Sequence, residues 1–301
     1  MNLTDRIREV KKEKNAVILA HYYTPGETQA IADHVGDSYG LAKQARQTRA
    51  ETIVFCGVYF MGESAKILNP DKTILMPDLS ADCPMAHMAN ERSIAELRAK
   101  YKDLAVVCYI NSSAELKGLS DVCVTSSNAA QIVRQLPNQN IFFIPDRNLG
   151  RYVARAVPEK HVLLNDGYCP VHAEISRQKI LDAKNKRPEA LLLSHPECGE
   201  EILEISDFIG STAKIIEYAK NSAGREFIIA TEEGVRQRLE RDNPEKSFLF
   251  PNPPPVCGGM KLNTLERILH VLETGENRVE IDETPRRKAL IPLERMLALS
   301  K

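Results

Sequence analysis

The chain has 301 residues, 43% hydrophobic and 27% charged, the balance of a globular protein. Its 40 Lys+Arg stand against 41 Asp+Glu for a net charge of -1, so no basic field exists to hold nucleic acid or an anionic membrane surface, and neither is an expected partner. No apolar run approaches the roughly 20 residues of a bilayer span, and Met1-Asn2-Leu3-Thr4-Asp5-Arg6 lacks a signal peptide's apolar region, so a cytoplasmic protein is expected.

In chain order, residues 3–14 place apolar side chains at 3, 7 and 10 among charges, which predicts a surface helix with Thr4 or Asp5 near its cap. Residues 16–20 are a short continuous apolar run. Helices are expected over 27–34 and 38–47, a strand over 52–56, a helix over 62–68 and a strand over 73–76. Continuous apolar strands alternating with helices predict an α/β fold with parallel sheets covered on both faces. A second unit repeats the pattern from Leu104 to about Cys169 and a third from Glu189 to Cys257. Helices over 93–101 and 176–186 join the units, the latter stopped by Pro188. Pro251-Asn252-Pro253-Pro254-Pro255 excludes helix and leads directly to Cys257. Residues 264–273 put Leu265, Ile268, Leu269 and Leu272 on one helical face, and 292–299 form a last docking helix.

The repetition is numerical. Strands at Ile53, Ile141 and Phe227 are offset by 88 and then 86 residues, and so are those at Ile74, Val162 and Phe248. His21, Tyr109 and His195, which end the first strand of each unit, keep the same offsets. So do Ser38, Ser126 and Thr212. Cys83, Cys169 and Cys257 close the three units, the middle loop being two residues shorter. So many features in one register indicate an internal triplication. Three similar small domains about a pseudo-threefold axis are expected, spanning 1–87, 88–173 and 174–301.

In parallel sheets, ligands bind where loops leave the carboxyl ends of strands. If those ends face inward, one central site receives a cysteine, a strand-end polar residue and a hydroxyl from each unit. Seven cysteines in a chain without a secretion signal favour thiols and metal ligands over disulfides. Three converging thiolates suit zinc or an iron-sulfur cluster. With three protein ligands a cubane leaves one iron open, a Lewis acid for substrate oxygens. Zinc remains a reading because Cys169 and His172 have C-x-x-H spacing and could complete a Cys3His site. Cys56, Cys108 and Cys123 read as core residues. Cys198 could line the site without being a ligand, and His34, His87, His161 and His270 fall outside the register. Glu197, in a loop that should face the centre, is the candidate general base. Ser38, Ser126-Ser127 and Ser211-Thr212 stand at expected helix starts, where hydroxyls and amides can hold an anion. No dinucleotide or P-loop glycine motif occurs.

His21-Tyr22-Tyr23, Gly36-Asp37-Ser38, Tyr109-Ile110-Asn111, Cys169 with His172, His195-Pro196-Glu197-Cys198, Gly210-Ser211-Thr212 and Cys257-Gly258-Gly259-Met260-Lys261 resemble the motifs of the quinolinate synthase family, from about residue 15 to 275. The resemblance implies three α/β domains around a 4Fe-4S cluster held by Cys83, Cys169 and Cys257. It implies condensation of iminoaspartate with dihydroxyacetone phosphate, with loss of phosphate and two waters, to quinolinate for NAD biosynthesis. Ser38, Ser126 and Thr212 would take carboxylates and phosphate, and Asn111 would orient a carboxylate or hydroxyl. Glu197, Tyr23, Tyr109, His21, His172 and His195 would move protons. An aspartate oxidase or dehydrogenase would supply the imine by transient contact. The extra C-x-x-C that some members carry near the last ligand is absent, so no thiol-disulfide regulation is expected at Cys257. The remaining alternatives are a zinc-dependent lyase or aldolase and a non-enzymatic cluster carrier or sensor.

Overall fold

The computed structural model describes residues 2–300. Twelve strands among them form three separate four-stranded sheets, every strand parallel to its neighbours. The first contains β1 (Ala16–His21), β2 (His34–Gly36), β3 (Thr52–Cys56) and β4 (Thr73–Leu75) in the order β2-β1-β3-β4. The second contains β5 (Leu104–Tyr109), β6 (Val122–Val124), β7 (Asn140–Ile144) and β8 (His161–Leu164) in the order β6-β5-β7-β8. The third contains β9 (Leu191–Ser194), β10 (Phe208–Ile209), β11 (Glu226–Ala230) and β12 (Ser247–Leu249) in the order β10-β9-β11-β12. Register repeats with topology: Val17 opposes Ile53, Ala105 opposes Ile141, and Leu191 opposes Phe227.

Alternate side chains of a strand leave by opposite faces, and here both faces are buried. Val17 and Leu19 join one apolar cluster while Ile18 and Ala20 join another. In the third sheet Leu192 and Ile228 face one core, Leu193 and Ile229 the other. The largest cluster runs from the first unit into the second, so those two share a core. The C-terminal helices leave the third sheet altogether. Leu265–Thr274 packs on the N-terminal helix Leu3–Glu13, with Ile268, Val271 and Leu272 beside Ile7 and Val10. Glu283–Leu299 lies on β6 and on the helices Ala114–Gly118 and Tyr59–Leu68.

Several sequence expectations are corrected. The helix expected over 27–34 is Gly26–Ile31, because Ala32 turns extended (ψ 144°) and His34 enters β2. Asn2, not Thr4 or Asp5, caps the first helix, accepting from the Asp5 N–H. The last helix begins at Glu283 and accommodates Pro292 within it. Ser126 and Ser127 occupy a turn, and the helix after them starts at Ala129.

Of the short edge strands β2, β6 and β10, only β6 is marked in the sequence, by the apolar run around Cys123; β2 and β10 are not. A carboxylate sets each in place: Asp33, Asp121 and Asp207 Oδ2 accept from Ile18, Val106 and Leu192 N–H at 2.8, 2.7 and 2.7 Å. Each Asp also donates its own N–H to the carbonyl of that same first-strand residue at 2.9 Å. These aspartates stand in the tripled register too.

Candidate active site

The carboxyl ends of all three sheets open on one cavity of about 650 Å³, mouth included. His21 ends β1, Tyr109 ends β5 and His195 follows β9, all buried. The cavity brings together every expected site residue: these three with Tyr23, Ser38, Asn111, Ser126, His172, Glu197 and Thr212, and the three cysteines.

Each of those cysteines is the residue before a single helical turn: Pro84–His87, Pro170–Ala173 and Gly258–Lys261. The proline at the first position of two of these turns gives up no needed donor there. A main-chain bond fixes each loop: Tyr59, Arg147 and Glu233 N–H donate at 2.7, 2.8 and 2.9 Å to the carbonyls of Ala81, Gly167 and Pro255, each two residues before its cysteine. The sulfurs accept backbone N–H groups of their turns: Met85 and Ala86 at Cys83, His172 at Cys169, Met260 and Gly259 at Cys257. Burial raises all three thiol pKa values, with Cys257 adding to the shift at Cys83 and Cys83 to that at Cys169. Thiols so raised stay protonated by themselves, and would bind as thiolates only to a cation that offsets their burial.

Glu197 is the buried anion of the site. Burial by itself would raise its carboxyl, but His195 and His172 outweigh that and hold it at about 2. Its Oε2 lies 2.8 Å from His172 Nδ1 and 3.6 Å from His195 Nδ1. Burial, then His195, lowers His21 to about 3, and burial lowers His195 to about 3, so both imidazoles are neutral near pH 7. Burial raises Tyr23 and Tyr109 well above their ordinary value, which keeps both phenols as donors. His172 Nε2 lies 2.8 Å from Thr231 Oγ1, which is 2.7 Å from Tyr23 OH, itself 2.7 Å from Thr212 Oγ1. An unbroken chain of proton-exchanging groups thus joins Glu197 to the hydroxyl side of the cavity. That side ties the units together: Ser127 donates to Asp37 Oδ2 at 2.8 Å and lies 2.9 Å from Ser211 Oγ.

Thr231 and Glu232 were not foreseen, although they directly follow β11 as the loop after β9 carries His195 and Glu197. Glu232 Oε1 pairs with Lys261 Nζ at 2.7 Å, and Lys261 also donates to the Tyr23 carbonyl at 2.8 Å. Cys198 does not line the cavity: its Sγ meets the Ala230 carbonyl at 3.2 Å within the third unit's core. Cys56, Cys108 and Cys123 are fully buried in strands. His34 is exposed, His87 and His270 pair with Asp82 and Glu276, and His161 with Asn140.

The donor set fits an iron-sulfur cluster with three protein ligands. Three sulfurs from three loops share one cavity, and two buried oxygens of its lining, Asn111 Oδ1 and Glu197 Oε1, have no hydrogen-bond partner among the described residues. Buried acceptors are seldom left unpaired, so these two await a bound group. A mononuclear site at Cys169, His172 and Glu197, whose ligand atoms lie within 4.8 Å of one another, is less well served. It would use only one of the three cysteines that line the cavity and leave Cys83 and Cys257 without a role.

The family described as "Quinolinate synthetase A protein" matches residues 5–298. Curated relatives named quinolinate synthase include that of Fusobacterium nucleatum, 51% identical over 298 residues and covering 99% of both chains. That of Clostridium perfringens is 49% identical over 98% of both, and that of Clostridioides difficile is 48% identical over 100% of this chain and 99% of its own. With the triplicated sheets and the three-cysteine cavity already in view, these full-length likenesses establish that the chain belongs to the quinolinate synthetase A family.

Proposed function

We propose that the protein condenses iminoaspartate with dihydroxyacetone phosphate to quinolinate, releasing phosphate and two waters, in NAD biosynthesis. The observation that carries this is the convergence in one cavity of three thiols, a buried carboxylate between imidazoles, and an arc of hydroxyls. Cys83, Cys169 and Cys257 would hold a 4Fe-4S cluster, which when bound supplies an iron with an open position that polarises a substrate oxygen or nitrogen.

The protein's own groups do the rest. Ser38, Ser126 and Thr212, with the amides at the starts of Ser38–Gln47 and Thr212–Asn221, receive the negative ends of the substrates. Asn111 Oδ1, unpaired and buried, accepts from a substrate hydroxyl or amine. Glu197 Oε1 takes a proton from substrate. A carboxylate held near 2 is a weak base alone, so it hands the proton to His172 Nδ1, 2.8 Å away. His172, Thr231 and Tyr23 return protons to the oxygens that leave as water, and neutral His21 and His195 orient the carbonyls. The buried setting excludes bulk water from an imine that water would hydrolyse.

Anaerobic assay of quinolinate formation from both substrates, with iron and sulfide measured on the same sample, tests the reading. Iron-free protein with full activity would overturn it. Glu197→Gln should lower turnover by at least about 100-fold, the scale of a lost acid–base group, while the cluster stays; Cys83→Ala should lose the cluster itself. The zinc alternative predicts stoichiometric zinc and colourless protein. Imine delivery by an aspartate-oxidising enzyme belongs to the same proposal.

A further inference from the structure

The threefold register identifies two carboxylates that no part of the reaction uses. Asp146 and Glu232 stand 86 residues apart, in equivalent places just after β7 and β11. Asp146 is fully buried, and its Oδ2 accepts the backbone N–H of Cys169 at 3.1 Å. Glu232 is fully buried, and its Oε1 accepts the backbone N–H of Cys257 at 3.0 Å. Two different side chains, of different length, thus make the same bond to the amide of a ligand cysteine. The equivalent residue of the first unit, 88 before Asp146, is Val58. It is buried as well, but its side chain has no atom that can accept.

Resting on the reading that the three cysteines hold a cluster, we infer that Asp146 and Glu232 are positioning residues that lock Cys169 and Cys257, and that Cys83, whose unit has Val58 at the equivalent place, is the ligand that lets go first. Groups that orient ligands govern how firmly they stay. Cys169 and Cys257 are each held twice, by the main-chain bond two residues before them and by the carboxylate at their own amide. Of these two bonds Cys83 has only the first, Tyr59 N–H to Ala81 O. The asymmetry assigns the opening of the site to the first unit's loop.

The test uses anaerobically reconstituted, full-length protein. A ferrous-iron chelator is added, the reaction is quenched with iodoacetamide at intervals, and labelled peptides are counted by mass spectrometry. In the wild type Cys83 should be labelled before Cys169 and Cys257. Asp146→Ala should bring Cys169 forward, Glu232→Ala should bring Cys257 forward, and each should speed cluster loss by about tenfold or more. Asp146 also caps the helix Arg147–Ala156 through Leu149 N–H at 2.6 Å, so its alanine variant loses stability too. Asp146→Asn, which keeps an acceptor oxygen, should restore the wild-type order, and Val58→Asn should delay Cys83. A purely structural role would speed labelling of all three sites alike, and that result overturns the inference. So does a cluster-bearing wild type that releases its cysteines without order, which leaves the functional reading intact. A wild type that binds no iron and sulfide defeats both.

Discussion

At Gly259 the backbone sets the distance between the Cys257 and Cys83 loops. A Cβ added there would lie 2.6 Å from the Asp82 carbonyl and 3.1 Å from Val58 Cγ1. Because the nearer atom is main chain, the Cys83 loop would have to shift. Gly259→Ala should therefore cost about 1–3 kcal/mol, as overpacking does, and lower iron content in reconstituted protein, both measurable on one preparation. Titration at the residue scale has a definite sign. His21 and His195 fall from 6.5 to about 3 on folding, so the unfolded chain binds more protons than the folded one between those values. Stability should be fully present above pH 6.5 and decline as pH falls toward 3, with a limiting slope of about 1.4 kcal/mol per pH unit for each histidine. Urea unfolding of the cluster-free protein from pH 7 to 4 measures it, and His21→Gln should reduce the slope. Individual residues were legible in the sequence where chemistry and register coincided, as at Glu197 and the cysteines. Thr231 was not, because its role is to receive His172 and Tyr23, two side chains from distant units that no spacing relates to it.

Among elements, the long apolar strands announced themselves, since a strand buried on both faces is apolar throughout. The edge strands β2 and β10 did not, and the placement of β2, β6 and β10 depends on Asp33, Asp121 and Asp207. Each aspartate also meets a cation on the neighbouring helix: Lys11 at 2.6 Å, Arg98 at 2.9 Å and Lys184 at 3.3 Å. These pairs are partly exposed, so the Coulombic part is worth little, and the bond to the strand amide carries most of the effect. Asp207→Ala should cost about 1–3 kcal/mol, the penalty for stranding a buried donor, read as a lower urea midpoint. Asp207→Asn should recover most of it by keeping an acceptor oxygen. Helix ends were misread for a related reason. Asn2 closes the first helix and Asn128 turns its carbonyl to Thr125 N–H instead of capping, choices that neighbouring Thr4, Asp5 and Ser126 made look equally open.

For the whole molecule, each unit gives one sulfur to a shared cavity, and the C-terminal helices pack on elements of the first two units. The third unit is tied to the others by side-chain bonds such as Tyr23 to Thr212 and Ser127 to Ser211. Bound metal that prefers the folded state adds stability by mass action. Removing iron and sulfide should therefore lower Tm and separate one calorimetric transition into two, the third unit melting first. The triplication was visible from spacing alone and made inward-facing strand ends one arrangement to expect; the shared core of the first two units was not visible, since no repeat specifies which copies merge. The bonds from Tyr59, Arg147 and Glu233 hold the three cysteine loops by the same means in units of different sequence. An amide hydrogen is the same on every residue but proline, so these anchors are blind to the side chain that bears them. A phenol, a guanidinium and a carboxylate occupy equivalent places, so exchanging any of them for another non-proline residue leaves the donor to its loop in place.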